Sequence, residues 1–210
     1  MLKQWIGKAF LGAAGWKMDG GRPTLDRYVI IAAPHTSNWD LPFMLAMAFV
    51  YDIPVRWMGK HTLFKAPFGP LFERLGGIPI VRNRPGGIVA QMVEHFGESQ
   101  SLVLMVPAEG TRAHVDYWKS GFYHIARAAD VPVVLSYLDF GKKVGGIGPA
   151  VELTGDVRAD MDKIRGFYAG KQGFRPEKVG VIRLREEDVE EVIDHDGSGA
   201  EELDRLAGNL

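Results

Sequence analysis

Two side chains able to move a proton stand five positions apart in PHTSNWDLP (34–42), His35 and Asp40, directly after the apolar run RYVIIAA (27–33). If His35 lies just outside a helix that carries Asp40, the carboxylate can accept its Nδ1–H. Nε2 is then oriented as a general base, and the imidazolium formed is stabilised by the acid. The same stretch also reads as a plain helix start, with Ser37 as cap and Asp40 as its acidic partner three residues on. Spacing alone leaves both readings open. Arg82, after IPIV, and Arg112, closing Glu109-Gly110-Thr111-Arg112, add permanently charged planar forks that suit phosphate and equally suit surface ion pairs. Gly110 permits close backbone approach between an acid and a base, although a simple turn has the same composition.

The elements that must position these groups follow from hydrophobic pattern. RYVIIAA, VRWMG (55–59), GIPIV (77–81), SLVLMV (101–106) and VPVVLSYLDF (131–140) are short, apolar and rich in β-branched residues, which predicts strands. Residues 37–51, 69–76, 86–99 and 120–130 predict the helices between them. Apolar strands alternating with helices imply an α/β fold: a single domain with a mostly parallel central sheet flanked by helices. Ligands bind beyond the carboxyl ends of such strands. His35 and Asp40, Arg82, and the EGTR turn all follow strand ends, so parallel pairing would gather them at one edge. Further on, the glycine-rich GKKVGGIGPA (141–150) predicts a turn between strands, since no convincing helix follows to make it a phosphate loop. VELTG (151–155) predicts a strand, DMDKIRGFYA (160–169) a helix and VGVIRL (179–184) a last strand.

At the amino end, residues 2–17 predict an amphipathic helix, with Leu2, Trp5, Ile6, Ala9, Phe10, Ala13 and Trp16 on one face and Leu11 out of place. The expected organisation is an amphipathic helix (1–20), a main domain (21–185) that carries the motifs and an acidic tail (186–210). Charge is uneven: residues 1–82 carry ten Lys or Arg against five acids, whereas ten acids face three arginines from Arg183 onward. The formal net charge of −1 gives no reason to expect nucleic acid. Without cysteine there are no disulfides, thiolate metal sites or cysteine nucleophiles, and no apolar run reaches the roughly 18 residues of a membrane span. The segment 56–77 interleaves Arg56, Lys60, Lys65 and Arg74 with Trp57, Phe64, Phe68 and Phe72. That composition suits a lipid-facing surface, with Lys60, Phe64, Lys65 and Phe68 as candidate contacts, and suits a packed loop as well.

Taken together, the motifs resemble the lysophospholipid acyltransferase family, typified by 1-acyl-glycerol-3-phosphate acyltransferase. H-x4-D is matched by His35 and Asp40, the glycine-apolar-arginine motif by GGIPIVR with Gly76, Gly77 and Arg82, the E-G-T-R motif by PAEGTR, and the V-P-apolar-V strand by VPVVL with Pro132. Their order and approximate spacing agree over about residues 28–135. The resemblance implies that His35, oriented by Asp40, deprotonates the acceptor hydroxyl, which attacks the thioester of acyl-CoA or acyl carrier protein without a covalent acyl-enzyme. It associates Arg82, Glu109, Gly110, Thr111 and Arg112 with a phosphate-bearing acceptor such as a lysophospholipid. No cofactor or metal is expected. The chain departs from the family in lacking transmembrane segments, and its first twenty residues substitute an interfacial helix, so the expectation is a cytoplasmic protein held peripherally on the inner face of the membrane. The third motif departs from F-P-E-G-T-R-S, because Ala108 separates Pro107 from Glu109 and Ala113 replaces the serine.

Two other classes compete. A metal-dependent hydrolase would use His35, Asp40 and Glu109 as ligands. A non-enzymatic module would bind anionic lipid through the first helix and the basic aromatic segment.

Overall fold

In Arg27–Ala33 (β2), odd-numbered Val29, Ile31 and Ala33 enter one buried cluster and even-numbered Tyr28, Ile30 and Ala32 enter another. A strand covered on both faces has to be apolar throughout, which is why this run shows no polar alternation. In a computed structural model, which describes residues 2–81 and 86–188, β2 is central in a seven-stranded sheet. Its other strands are Lys17–Asp19 (β1), Val55–Lys60 (β3), Gly77–Ile80 (β4), Leu102–Val106 (β5), Val133–Asp139 (β6) and Val144–Val151 (β7). Their order is β1-β7-β6-β2-β5-β3-β4. The pairings among β2 to β6 are parallel; β7 runs antiparallel to β6, and β1 parallel to β7.

Helices cover both faces. Leu2–Ala13 (α1) lies against Asp40–Tyr51 (α2), and α2 covers the face of Tyr28, Ile30 and Ala32 through residues such as Ala48. Gly69–Arg74 (α3) joins β3 to β4. Gly87–Glu98 (α4), Gly121–Ala128 (α5) and Val157–Tyr168 (α6) cover the other face with Met92, Phe96, Phe122, Ile125, Met161 and Ile164. The α/β architecture, the mostly parallel sheet and the flanking helices are therefore as the hydrophobic pattern predicts.

Three expectations change. The first helix ends at Ala13, not residue 17, and Lys17–Asp19 instead pairs with β7. Leu11, out of place on the expected apolar face, is the buried residue at 2% exposure. Gly7, one turn earlier, lets α2 approach so closely that a Cβ there would lie 2.5 Å from the Ala46 carbonyl oxygen. The helix thus packs through a Gly7–Leu11 ridge, leaving Leu2 72% and Trp5 69% exposed, while Trp16 turns inward onto Phe43 and Phe140.

The second change is at residues 141–155, where the strand covers the glycine-rich stretch and ends at Val151. A Cβ on Gly145 would meet Met47, and one on Gly148 would meet Phe167, so glycine is there for close packing against both layers. Pro149 is tolerated because β1 pairs only with Val144–Gly146. Third, Val179–Leu184 forms no strand: Val181 N–H donates to the Val115 carbonyl and Trp118 N–H to the Arg183 carbonyl. Both neighbours of β6 are already taken by β2 and β7, so the segment has no central edge to join. It is tied down instead by Arg165 to Glu187 at 2.9 Å and by Tyr117 to Asp188. The division at residues 20 and 186 is not marked by any separation in the fold, and most of the acidic tail lies outside the described residues.

Candidate active site

Neighbouring parallel strands bring the first and third motifs together. Ile31 of β2 is level with Val106 of β5, so the residues after the two strands leave the same sheet edge side by side. β2 leaves through a cis Ala33–Pro34 peptide into His35. Beside it, the Glu109 side chain accepts the His35 backbone N–H at 2.9 Å. Arg82 lies outside the described residues. β4, which precedes it, is three strand positions from β2, or roughly 14 Å at ordinary strand spacing.

Between His35 and α2 the chain wraps around one carboxylate. Asp40 Oδ2 accepts the Thr36 N–H at 2.7 Å, the Ser37 N–H at 2.9 Å and a hydrogen bond from His35 Nδ1 at 3.1 Å. Ser37 does not cap the helix as expected. Trp39 flanks α2, no side chain caps it, and the Ser37 Oγ accepts the Trp39 N–H at 3.2 Å. The carboxylate therefore both organises the start of α2, where its negative charge suits the helix dipole, and grips the imidazole. The acidic half of the helix-start reading and the histidine-orienting reading are one structure, while the Ser37 cap is not made.

Asp40 is fully buried, whereas the His35 side chain keeps 22% exposure. Because a carboxylate only accepts, Nδ1 carries the hydrogen. Among the described residues no protein group bonds to Nε2, and His35 lines a cleft of about 650 Å³. That volume is in the range of sites for small molecules. Its apolar lining includes Met44, Trp57, Met58, Val89, Phe122 and Ile125, and its polar lining includes the exposed Asn38, Arg112 and Lys119. No Asp or Glu lines it among the described residues.

The EGTR turn divides its residues by burial. Glu109 is 3% exposed behind His35, and Gly110 (φ +66°) and Arg112 line the cleft, while Thr111 is exposed outside its lining. The extra Ala108 is absorbed by the core: its side chain joins the main apolar cluster and its carbonyl accepts the Lys119 N–H at 2.8 Å. Arg112 Nη1 donates to Asn38 Oδ1, holding the guanidinium over the His35–Asp40 turn.

Of the candidate lipid contacts, Lys60, Lys65 and Phe68 are exposed. Phe64 turns inward, packing against Trp57 and Phe72 and over Gly59 and Gly77, whose missing Cβ atoms leave room for its ring. The sequence did not single out Lys119. Its signal was present in the charge pattern: a lysine just before a helix opposes the helix dipole, so local helix stability does not account for it.

Burial raises the Glu109 carboxyl above the usual carboxylate range, against the lowering effect of the His35 backbone N–H. Only one of its oxygens has a hydrogen-bond partner. With a raised folded-state value, Glu109 contributes stability below the ordinary glutamate range, and that contribution is lost as pH rises through the folded value. Glu109→Gln keeps an oxygen for the His35 N–H and does not ionise. Relative to the parent it is expected to gain stability as pH rises from the ordinary glutamate range through the raised folded value, and to gain nothing further above it. Thermal melts across that range check this, and a pH-independent difference would show that burial of the charge has no net cost.

The hydrolase reading required His35, Asp40 and Glu109 to converge. Asp40 Oδ2 is committed to three donors and Glu109 Oε1 to the His35 backbone, while Asp40 Oδ1 and Glu109 Oε2 have no hydrogen-bond partner. Among the described residues no group of three or more His, Cys, Asp or Glu side chains is placed to hold a metal ion.

Comparison with known proteins agrees with this geometry. The model of the acyltransferase family matches residues 21–136, more than half of the chain. Among solved structures, the chain is similar to the 1-acyl-sn-glycerophosphate (LPA) acyltransferase PlsC from Thermotoga maritima, with a TM-score of 0.56 and 16% identity over 82% of this chain and 80% of that one. No curated protein matches the sequence. At that identity the structural likeness shows a common fold, while the family match spans the H-x4-D turn and the EGTR turn alike: the chain belongs to the acyltransferase family.

Proposed function

We propose that the protein transfers a fatty acyl group from an acyl-CoA or acyl carrier protein thioester to a hydroxyl of a lysophospholipid or a related phosphate-bearing acceptor. The observation that carries this reading is His35, with Nδ1 held by buried Asp40 and Nε2 open to a cleft with cationic and apolar lining residues. Nε2 takes the acceptor's hydroxyl proton as the oxygen attacks the thioester carbonyl. The tetrahedral intermediate collapses with cleavage of the C–S bond, and the departing thiolate recovers the proton from the imidazolium. Asp40 stabilises the transient positive charge. No acyl-enzyme is required, and the chain has no cysteine to form a thioester. The apolar lining suits an acyl chain, and Arg112 with the EGTR turn suits the acceptor's phosphate-bearing end. The test is to incubate the protein with acyl-CoA and a panel of lysolipids while following free thiol. Acceptor-dependent thiol release with formation of a diacyl product is expected; absence of acceptor dependence would reject the reading.

The reading places the protein peripherally on the cytoplasmic face of a membrane. Among the described residues no helix is long and apolar enough to cross one. Leu2, Trp5 and Ile6 face solvent beside exposed Lys3 and Lys8, an arrangement suited to an anionic lipid surface. The double substitution Trp5→Ala/Ile6→Ala is expected to reduce co-sedimentation with anionic liposomes several-fold with little change in melting temperature. Leu11→Ala should instead cost about 2–5 kcal/mol of stability, because it empties a buried position. Unchanged liposome binding by the first variant would remove α1 from the membrane contact.

A further inference from the structure

Lys119 has the position of a ligand-binding cation that the motifs leave unassigned. It lines the same cleft as His35 and Arg112 but belongs to neither motif. Its backbone is fixed, since its N–H donates to the Ala108 carbonyl at 2.8 Å, one residue before Glu109. Its stem lies across Gly110: a Cβ built on that glycine would sit 2.8 Å from Lys119 Cγ. The turn after β5 and the residue before α5 are therefore fitted to each other, and the side chain crosses the one position of the turn that has no side chain.

Nothing among the described residues accounts for the charge. Among the described residues no acid forms an ion pair with Lys119, and none lines the cleft. Standing just before α5, it opposes the helix dipole. Arg112, the other Lys or Arg lining the cleft among the described residues, is restrained through Asn38. Two positive groups lining one cleft, with no acid among its described lining residues, are complementary to a group of charge near −2.

We propose that Lys119 binds the acceptor's phosphate monoester together with Arg112, lysine as a point charge and arginine as a planar fork, and so selects acceptors that carry this group. This rests on the acyltransferase reading for the identity of the acceptor, and the two are tested separately. Binding of a short-chain monoacylglycerol phosphate below its micellar concentration is measured by calorimetry, against the same monoacylglycerol without phosphate. Lys119→Met keeps the stem over Gly110 and removes the charge; it should weaken binding of the phosphate compound roughly tenfold or more, leaving the neutral one unchanged. Lys119→Arg should recover most of the loss. Equal binding by parent and Lys119→Met overturns the proposal whether or not the protein is an active transferase.

The reading itself is tested with His35→Ala, which should retain the phosphate preference while losing transfer. In steady-state assays Lys119→Met should raise the acceptor KM with little change in kcat. Acyl-CoA and acyl-pantetheine, which lacks the CoA phosphates, are compared as donors. A KM increase confined to acyl-CoA would place Lys119 on the donor and overturn the acceptor assignment.

Discussion

His35→Ala is expected to lower acyl transfer roughly 10²–10⁴-fold, the usual contribution of a positioned general base, with little loss of stability. The separation of these effects follows from how the residue is held. Its backbone N–H bonds to Glu109 irrespective of the side chain, and Asp40 still accepts the Thr36 and Ser37 N–H groups when the imidazole is gone. The imidazole is also the partly exposed member of the pair, so its removal opens no core cavity. Thiol release from acyl-CoA in the presence of a lysolipid, compared with the thermal melt of the same preparation, measures both quantities. Retention of more than about a tenth of the parent rate by a folded variant would exclude Nε2 as the base.

Substitutions of Asp40 should act on both quantities. In Asp40→Asn one amide oxygen can still accept from Thr36 and Ser37, but the negative charge facing the imidazole is lost. The imidazolium formed as the hydroxyl attacks is then unsupported, and the ring no longer has a preferred tautomer. A fall in kcat of roughly 10²–10⁴-fold is expected, with acceptor binding little altered. Asp40→Ala goes further. Two backbone N–H groups and the His35 Nδ1–H lose their acceptor in a fully buried position, at about 1–3 kcal/mol for each group that water cannot reach. The alanine variant should therefore be distinctly less stable than the asparagine variant, by denaturant unfolding, while both are slow. Equal stability of the two would mean that the turn does not depend on this carboxylate. A fast asparagine variant would mean that Asp40 serves the helix start alone.

These expectations depend on features that reached different degrees of clarity in the sequence. Runs such as RYVIIAA and SLVLMV were legible as strands because both faces are covered and every position had to be apolar. The H-x4-D and EGTR motifs were legible as candidates because each holds its groups within a few residues, although spacing alone left a helix start and a simple turn open. The glycines of β7 misled because their purpose is contact with Met47 and Phe167, residues about 100 and 20 positions distant. Leu11 seemed misplaced because the helix packs on Gly7 and Leu11, and local periodicity does not record what a neighbouring helix can approach.

By itself, then, the sequence determined the α/β class, the family motifs and the residues able to act as base, orienter and cation. The strand order was decided only in three dimensions, and it placed β5 next to β2, so that Glu109 meets the backbone of His35 across 74 positions of chain. Tertiary structure also settled that Asp40 serves the helix start and the histidine together, that Phe64 packs inward, and that Lys119 lines the same cleft as Arg112 with no ion-pair partner among the described residues. The physical reason is common to these cases. Local pattern reports how a segment is covered, whereas a site is made where separate segments converge, and that convergence is fixed by close packing among residues far apart in the chain.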